Sequence, residues 1–279
     1  SLSSFETLQN KTQNKNIKER LRNDSFDIIL TNPPFGTQGK VSDTEILKNF
    51  NLGYKWNMVD NNYTKSNTFH QGQVPDILFI ERCIDMLKPG GKLGIVLPNG
   101  DLENPSLDYV RSYILDTCQV IASIKLPEQT FMPFGTGVKA SILFIRKKTE
   151  KTIKDYDIFF ARISKLGYSF NKNATPSYKK DSNGNILKDE NGYLIVDEDY
   201  SDVIECFKAF LGGDKSISNS NCYICNSQNL SSRLDFEYYE PKFTNSLNIL
   251  KQNNSVPLSS VVNIKKSKSK QLCQPDHSV

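Results

Sequence analysis

Apolar positions along the chain recur with two periods, and the alternation between them predicts the elements. "FDIILT", Phe26 to Thr31, is a run of large apolar residues expected of a buried parallel strand. In "PDILFIERCIDMLKPGGKLGIVLP", Ile77, Ile80, Ile84 and Leu87 share one helical face, joined at its edge by Leu78 and Phe79. "KPGG" is expected to end that helix and "KLGIVLP" to form a second strand. "SLDYVRSYILDTC" is an amphipathic helix, "VIASIKLP" a third strand and "VKASILFIRK" a fourth. Strand, helix, strand, helix, strand gives an α/β fold with a mostly parallel sheet. The third and fourth strands are joined without a helix, so an antiparallel pair is expected at the sheet edge.

Other stretches lack such periodicity. Residues 1–24 read as a loop with a short helical turn, and the polar stretch from the end of the first strand to Gly72 as a long loop. After about residue 150, "KDYDIFFARISKLGYS" reads as strand then turn. "KKDSNGNILKDENGYLI" reads as a hairpin with Asn-Gly bends, and "YSDVIECFKAFLGG" as a helix. No internal repeat is evident. The expected organisation is a catalytic part over 1–150, an extension over 151–228 and a segment of different composition over 229–279.

With 37% hydrophobic and 24% charged residues, the composition is that of a soluble globular protein. No apolar run reaches the length of a membrane span, and six scattered cysteines fit a reduced, cytoplasmic setting. "CYIC" at Cys222 and Cys225 lacks a second nearby pair, so no metal site is expected. Net charge is +4, compatible with nucleic acid, and "VNIKKSKSK" is either a basic contact or a solvated tail.

"TNPPFG" carries the chemistry. Two prolines fix φ and remove donors, making a stiff corner after a strand. At the carboxyl end of a parallel strand, where open α/β sheets bind ligands, Asn32 and the Pro33 carbonyl offer two fixed acceptors. Two acceptors can grip both hydrogens of an amino group on an aromatic ring and aim its lone pair. Phe35 can stack on that ring for about 1–3 kcal/mol. Asp76 reads as a helix N-cap or first-turn acid, His70 as a loop histidine and Asp101 as a capping residue.

With "FDIILTNPPFG", "DILFIERCIDMLKPGGKLGIVLPNGDL" and "FMPFGTGVKASILFIRK" in order, the chain resembles the latter half of N6-adenine DNA methylases of type I restriction-modification systems. "YDIFFARISKLGYS" resembles them more loosely, and "RLDFEYYEPKF" resembles the start of a DNA-specificity region. The resemblance implies the second half of a doubly wound, Rossmann-like methyltransferase sheet with a C-terminal extension. It implies direct methyl transfer from S-adenosyl-L-methionine to adenine N6, without a metal. The catalytic corner would be Asn32, Pro33, Pro34 and Phe35, acting on a base flipped from the duplex. Phe131 or Phe134 would close the base's other face, with Lys139 within reach of phosphate. Double-stranded DNA, a specificity subunit and a restriction subunit are the implied partners.

The family's glycine-rich cofactor loop precedes this corner, yet the 31 residues before Asn32 contain no glycine. Cofactor-binding residues are therefore expected upstream of Ser1, with the chain inactive alone and its first strand open to self-association. Two alternatives stay open: a DNA-binding or assembly module without catalysis, and an RNA or protein-glutamine N-methyltransferase.

Overall fold

The computed structural model describes residues 2–35, 39–135, 137–150, 155–169 and 171–262, without the side chains of Phe134 and Ser259. Residues 1–239 form one compact unit and 240–279 a second. In the first, two short helices replace the expected N-terminal loop: α1 (Phe5–Lys11) and α2 (Lys15–Arg20). Each begins on a side-chain cap, the Thr7 N–H on Ser4 at 3.2 Å and the Ile17 N–H on Asn14 at 3.2 Å.

The fold is α/β, as expected. β1 (Phe26–Thr31) follows α2, and α3 (Thr44–Leu47) lies beyond the corner. The polar stretch expected as loop is in fact a hairpin, β2 (Tyr54–Val59) with β3 (Asn62–Phe69). Asp60 and Asn61 both hold positive φ at its tip, 48° and 62°, the two-residue turn that matches strand twist.

α4 (Pro75–Met86) then runs into β4 (Leu87–Pro98), which begins before the expected boundary. Lys88 precedes a proline and so avoids helical angles, while Gly90 takes φ +79°, so "KPGG" bends into the strand. α5 (Asn99–Glu103), α6 (Asp108–Thr117), β5 (Cys118–Lys125) and β6 (Ala140–Lys147) complete the expected series. β7 (Asp157–Arg162), α7 (Tyr200–Leu211) and β8 (Cys222–Asn226, the "CYIC" stretch) follow.

The strand order is β1-β4-β6-β5-β7-β8. β1 runs parallel to β4, and β5 to β7; β6 is antiparallel to both β4 and β5, and β8 to β7. The antiparallel pair was expected at the edge. Instead β6 inserts between β4 and β5, and β7 and β8 extend the sheet beyond them. β1 is an edge strand rather than a buried one: Ile28 and Leu30 are 64% and 74% exposed, while Ile29 packs against the core.

Apolar faces of α4 and α6 bury one side of the sheet, with Ile77, Ile80, Ile84, Val110 and Ile114 meeting Leu93, Ile95, Val120 and Leu143. Leu234, Phe236 and Tyr239 belong to the same core, so the "RLDFEYY" part of the proposed specificity-like segment closes this layer. The Leu234 carbonyl accepts from the Ser123 hydroxyl at 2.7 Å.

The Asn-Gly hairpin is present in doubled form, and here the chain does contain a repeat. Lys180–Leu187 and Lys188–Ile195 follow one pattern, Lys-Asp-x-Asn-Gly and then three residues mostly apolar. Asp181 accepts from the N–H groups of Asn183 and Asn185, and Asp189 from those of Asn191 and Tyr193. Gly184 and Gly192 hold positive φ in each turn.

In the second unit α8 (Pro241–Gln252) is amphipathic and precedes a short 3-10 turn at Leu258–Ser260. Most of "VNIKKSKSK" lies outside the described residues. No helix is long and apolar enough to cross a membrane among the described residues.

Candidate active site at the Asn-Pro-Pro-Phe corner

The corner leaves β1 directly after Thr31, which pairs with Ile95 of β4. Parallel pairing places it at the carboxyl edge of both strands, where α/β sheets take ligands. Pro33 is buried and anchors the turn, Asn32 and Pro34 are exposed, and Phe35 is half-buried. A locked backbone with an exposed amide on one side of the anchor and an aromatic ring on the other suits a planar ligand.

Three further segments converge at this edge. Ala140 at the start of β6 pairs with Pro98 at the end of β4, bringing the segment from Leu126 to Lys139 beside the corner. The Asn99 N–H donates to the Lys139 carbonyl at 2.9 Å, and the Ser141 hydroxyl donates to the Asn99 side chain at 2.9 Å. After β7, Tyr168 donates its hydroxyl proton to the Thr130 carbonyl at 3.2 Å. Thr130 is itself tied to Pro127, its hydroxyl donating to that carbonyl at 2.6 Å. Gly135, at φ +90°, ends the Met132–Phe134 turn in a conformation that side chains with a Cβ adopt only under strain.

The result is an aromatic pair. Phe35 and Phe131, separated by nearly a hundred residues, meet edge to face with centroids 5.4 Å apart and planes at 83°. Both rest on an apolar floor that includes Ile124, Leu126, Ala140, Ile163 and Leu166. The backbone of Phe134 lies in the turn after Phe131; its side chain lies outside the described residues. Lys139 pairs with Glu128 at 2.5 Å across the exposed mouth. Their hydrogen bond raises the lysine pKa and lowers that of the glutamate.

A second polar cluster lies where the starts of α4, α5 and α6 meet. Asp76 is in the first turn of α4, as expected, and is buried. Asp101 caps nothing: it lies in the first turn of α5, 5% exposed, with Oδ2 lacking a hydrogen-bond partner. Burial and the neighbouring Asp76 carboxylate push its pKa up to about 8, against a smaller lowering by Arg111. Arg111 donates to the backbone carbonyls of Asp101 and Asn104 at 3.0 Å each and pairs with Asp108 at 3.0 Å. His70 ends the β2–β3 hairpin, its ring 5.7 Å from that of Tyr109. Burial, then Lys55, lower its pKa, with a smaller lowering from Lys40.

Sequence reasoning brought out the corner, Phe131 and Lys139. It passed over Thr130, Tyr168, Asn99 and Ser141, which set the position of the Phe131 segment. Only "LPNG" after a strand hinted at one of them, because the others act through contacts distant in sequence.

The N-6 DNA Methylase family model matches residues 3–199. Over 124 residues the chain is 28% identical to the type I restriction enzyme StySPI methylase subunit of Salmonella potsdam, covering 44% of this chain and 19% of that protein. The EcoKI methylase subunit of Escherichia coli K12 is 28% identical over 123 residues, with the same two coverages. The matched stretch is thus about a fifth of each relative's length. A methyltransferase subunit of a type I restriction-modification system from Streptococcus thermophilus superposes with a TM-score of 0.46 at 18% identity, covering 76% of this chain and 37% of that one. The family match takes in the corner, the seven strands β1 to β7 of the first unit's sheet and hairpin, and the repeated turns, well over half of the sequence: the chain belongs to the N-6 DNA methylase family.

Proposed function

We propose that this chain supplies the amine-holding and base-stacking part of a DNA methyltransferase that acts on adenine N6 within a restriction-modification system. The meeting of Phe35 with Phe131 beside the exposed Asn32 carries the reading. A corner alone would serve as a strand-ending turn. A corner joined by a second aromatic ring from a distant loop makes a place for a flat ring.

In this reading the Asn32 side-chain carbonyl and the Pro33 carbonyl accept the two hydrogens of the adenine amino group. The nitrogen lone pair is then drawn out of conjugation and pointed away from the ring. Phe35 stacks on the base, and Phe131 must part from Phe35 to let it in. The departing proton needs no strong base, because the amine becomes acidic only as it gains its fourth bond. S-adenosylmethionine supplies the methyl group. Among the described residues no glycine-rich loop follows a strand in the way that holds this cofactor, so these residues are assigned to the amine alone.

The activity belongs to the whole methylase, with duplex DNA as substrate and specificity and restriction subunits as partners. The test gives the full gene product, with its specificity subunit, labelled S-adenosylmethionine and duplex DNA, structured RNA or protein extract. Label recovered as N6-methyladenine in DNA is the expected outcome. Label confined to RNA or to glutamine side chains would transfer the function to those classes.

A further inference from the structure

A cavity of about 590 Å³ lies outside the aromatic site, lined by Lys40, Ser42, Lys55, His70, Gln71 and Gly72. Its walls are fixed by main-chain hydrogen bonds. Val41 and Gln73 exchange N–H groups and carbonyls at 2.8 and 3.0 Å, and the His70 N–H donates to the Gly53 carbonyl at 3.0 Å. The Lys40 stem lies across Gly72 so closely that a Cβ there would meet the Lys40 Cβ at 2.9 Å. Gly72 thus permits the approach that sets Lys40 against this wall.

The cavity is cationic. Neither Lys40 nor Lys55 joins any ion pair among the described residues. Both act on one point, since each lowers the pKa of His70 in addition to the lowering by burial. The imidazole donates to the Tyr54 carbonyl, and Nε2 stays buried without a partner, so the ring is neutral and adds no competing charge. The contrast with the cleft around α2 is direct: there Arg20, Arg22 and Lys88 mix with Glu19, Asp24 and Asp27. Lys139, near the base site, already shares its charge with Glu128.

The cavity is also close to the corner. Lys40 is five Cα-to-Cα steps from Phe35, and a fully extended chain covers at most about 3.6 Å per step, roughly 18 Å in all. That is a few nucleotides of DNA backbone.

We propose that Lys40 and Lys55, with the Ser42 hydroxyl, bind a backbone phosphate of the DNA strand next to the flipped nucleotide. The proposal rests on the DNA-methylation reading above. Such a contact positions the strand without reading its sequence and releases counterions.

The test compares the full gene product, bound to its specificity subunit, with its Lys40→Gln/Lys55→Gln double variant, using a 20-base-pair duplex and, separately, inorganic phosphate. The two readouts are the salt dependence of duplex affinity and the NMR titration of His70. Duplex should raise the His70 pKa in the wild type by about half a unit or more, because a bound anion offsets the two lysines. The double variant should lose that shift, and its plot of log affinity against log salt should flatten by about one. Equal slopes with an unmoved His70 would overturn the site while leaving the methylation reading intact. A His70 response to inorganic phosphate but not to duplex would overturn the assignment to DNA. Lack of any duplex binding by the wild type would count against the methylation reading, and inorganic phosphate would then decide whether an anion site exists.

Discussion

Asn32 owes its exposure to Pro33, which is buried directly after it and pins the chain as it leaves β1. In the proposed function Phe35 and Phe131 divide the base-binding work. Replacing either with alanine should weaken binding of a flipped base by about 1–3 kcal/mol, read as reduced 2-aminopurine fluorescence enhancement at the target position. Equal fluorescence in both variants and the wild type would remove the aromatic pair from the site. Asp101 offers a different test. Its carboxyl is raised to about 8 when folded, against an ordinary value near 3.9. The folded state therefore binds more protons between about pH 4 and 8, and stability falls as pH rises through that window. Asp101→Asn, which mimics the protonated acid, should be more stable than wild type at pH 8 by about 1 kcal/mol or more, and similar to it at pH 4. Parallel melting curves at both pH values would contradict this. Asn32 and Phe35 stood out because the corner's residue types are unusual for a turn, whereas Phe131 and Lys139 were implied by the family resemblance alone. Asp101 was read as a cap because nothing in "LPNGDL" signals that Asp76, 25 residues earlier, will press against it.

The segment from Leu126 to Lys139 shows how an element can be placed by contacts remote in sequence. Its length made an antiparallel link between β5 and β6 legible. Its pinning was not, because Tyr168 enters from beyond β7. Tyr168→Phe removes the hydrogen bond to Thr130 and should cost about 0.5–1.5 kcal/mol locally. The expected result is faster amide hydrogen exchange across 127–135 with little change elsewhere; unchanged exchange would mean that the apolar floor alone holds the segment. The helices α4 and α6 were legible because four or more apolar residues recur on one face. The β2–β3 hairpin was not: only β2 alternates, with Tyr54, Trp56 and Met58 on one face, β3 is mostly polar, and the turn uses Asp60-Asn61 without glycine. The eight-residue repeat was hidden by the same bias, since Asx turns organise it rather than apolar periodicity.

Across the whole first unit, the sheet is asymmetric. β7 and β8 extend one side, whereas β1 leaves a strand edge and the side chains of Ile28 and Leu30 facing outward. An apolar cavity of about 230 Å³ beside them is lined by Leu93, Phe144, Phe207 and Leu211 among others. Such an edge promotes self-association. Leu30→Lys should reduce concentration-dependent association in sedimentation velocity without lowering the melting temperature, and an unchanged profile would show that the edge is not the contact. The strand's identity was legible and its open edge was expected from the family's order of motifs; the outward-facing Ile28 and Leu30 side chains were not, because an apolar run encodes burial without saying which partner provides it. The most direct test of the account is Asn32→Ala in the full gene product with its specificity subunit, measured for methyl transfer and for duplex binding together. The account predicts a fall in kcat of about a hundredfold or more, the scale of losing a group that stabilises developing charge, with DNA affinity retained. Methyl transfer at the wild-type rate would contradict it.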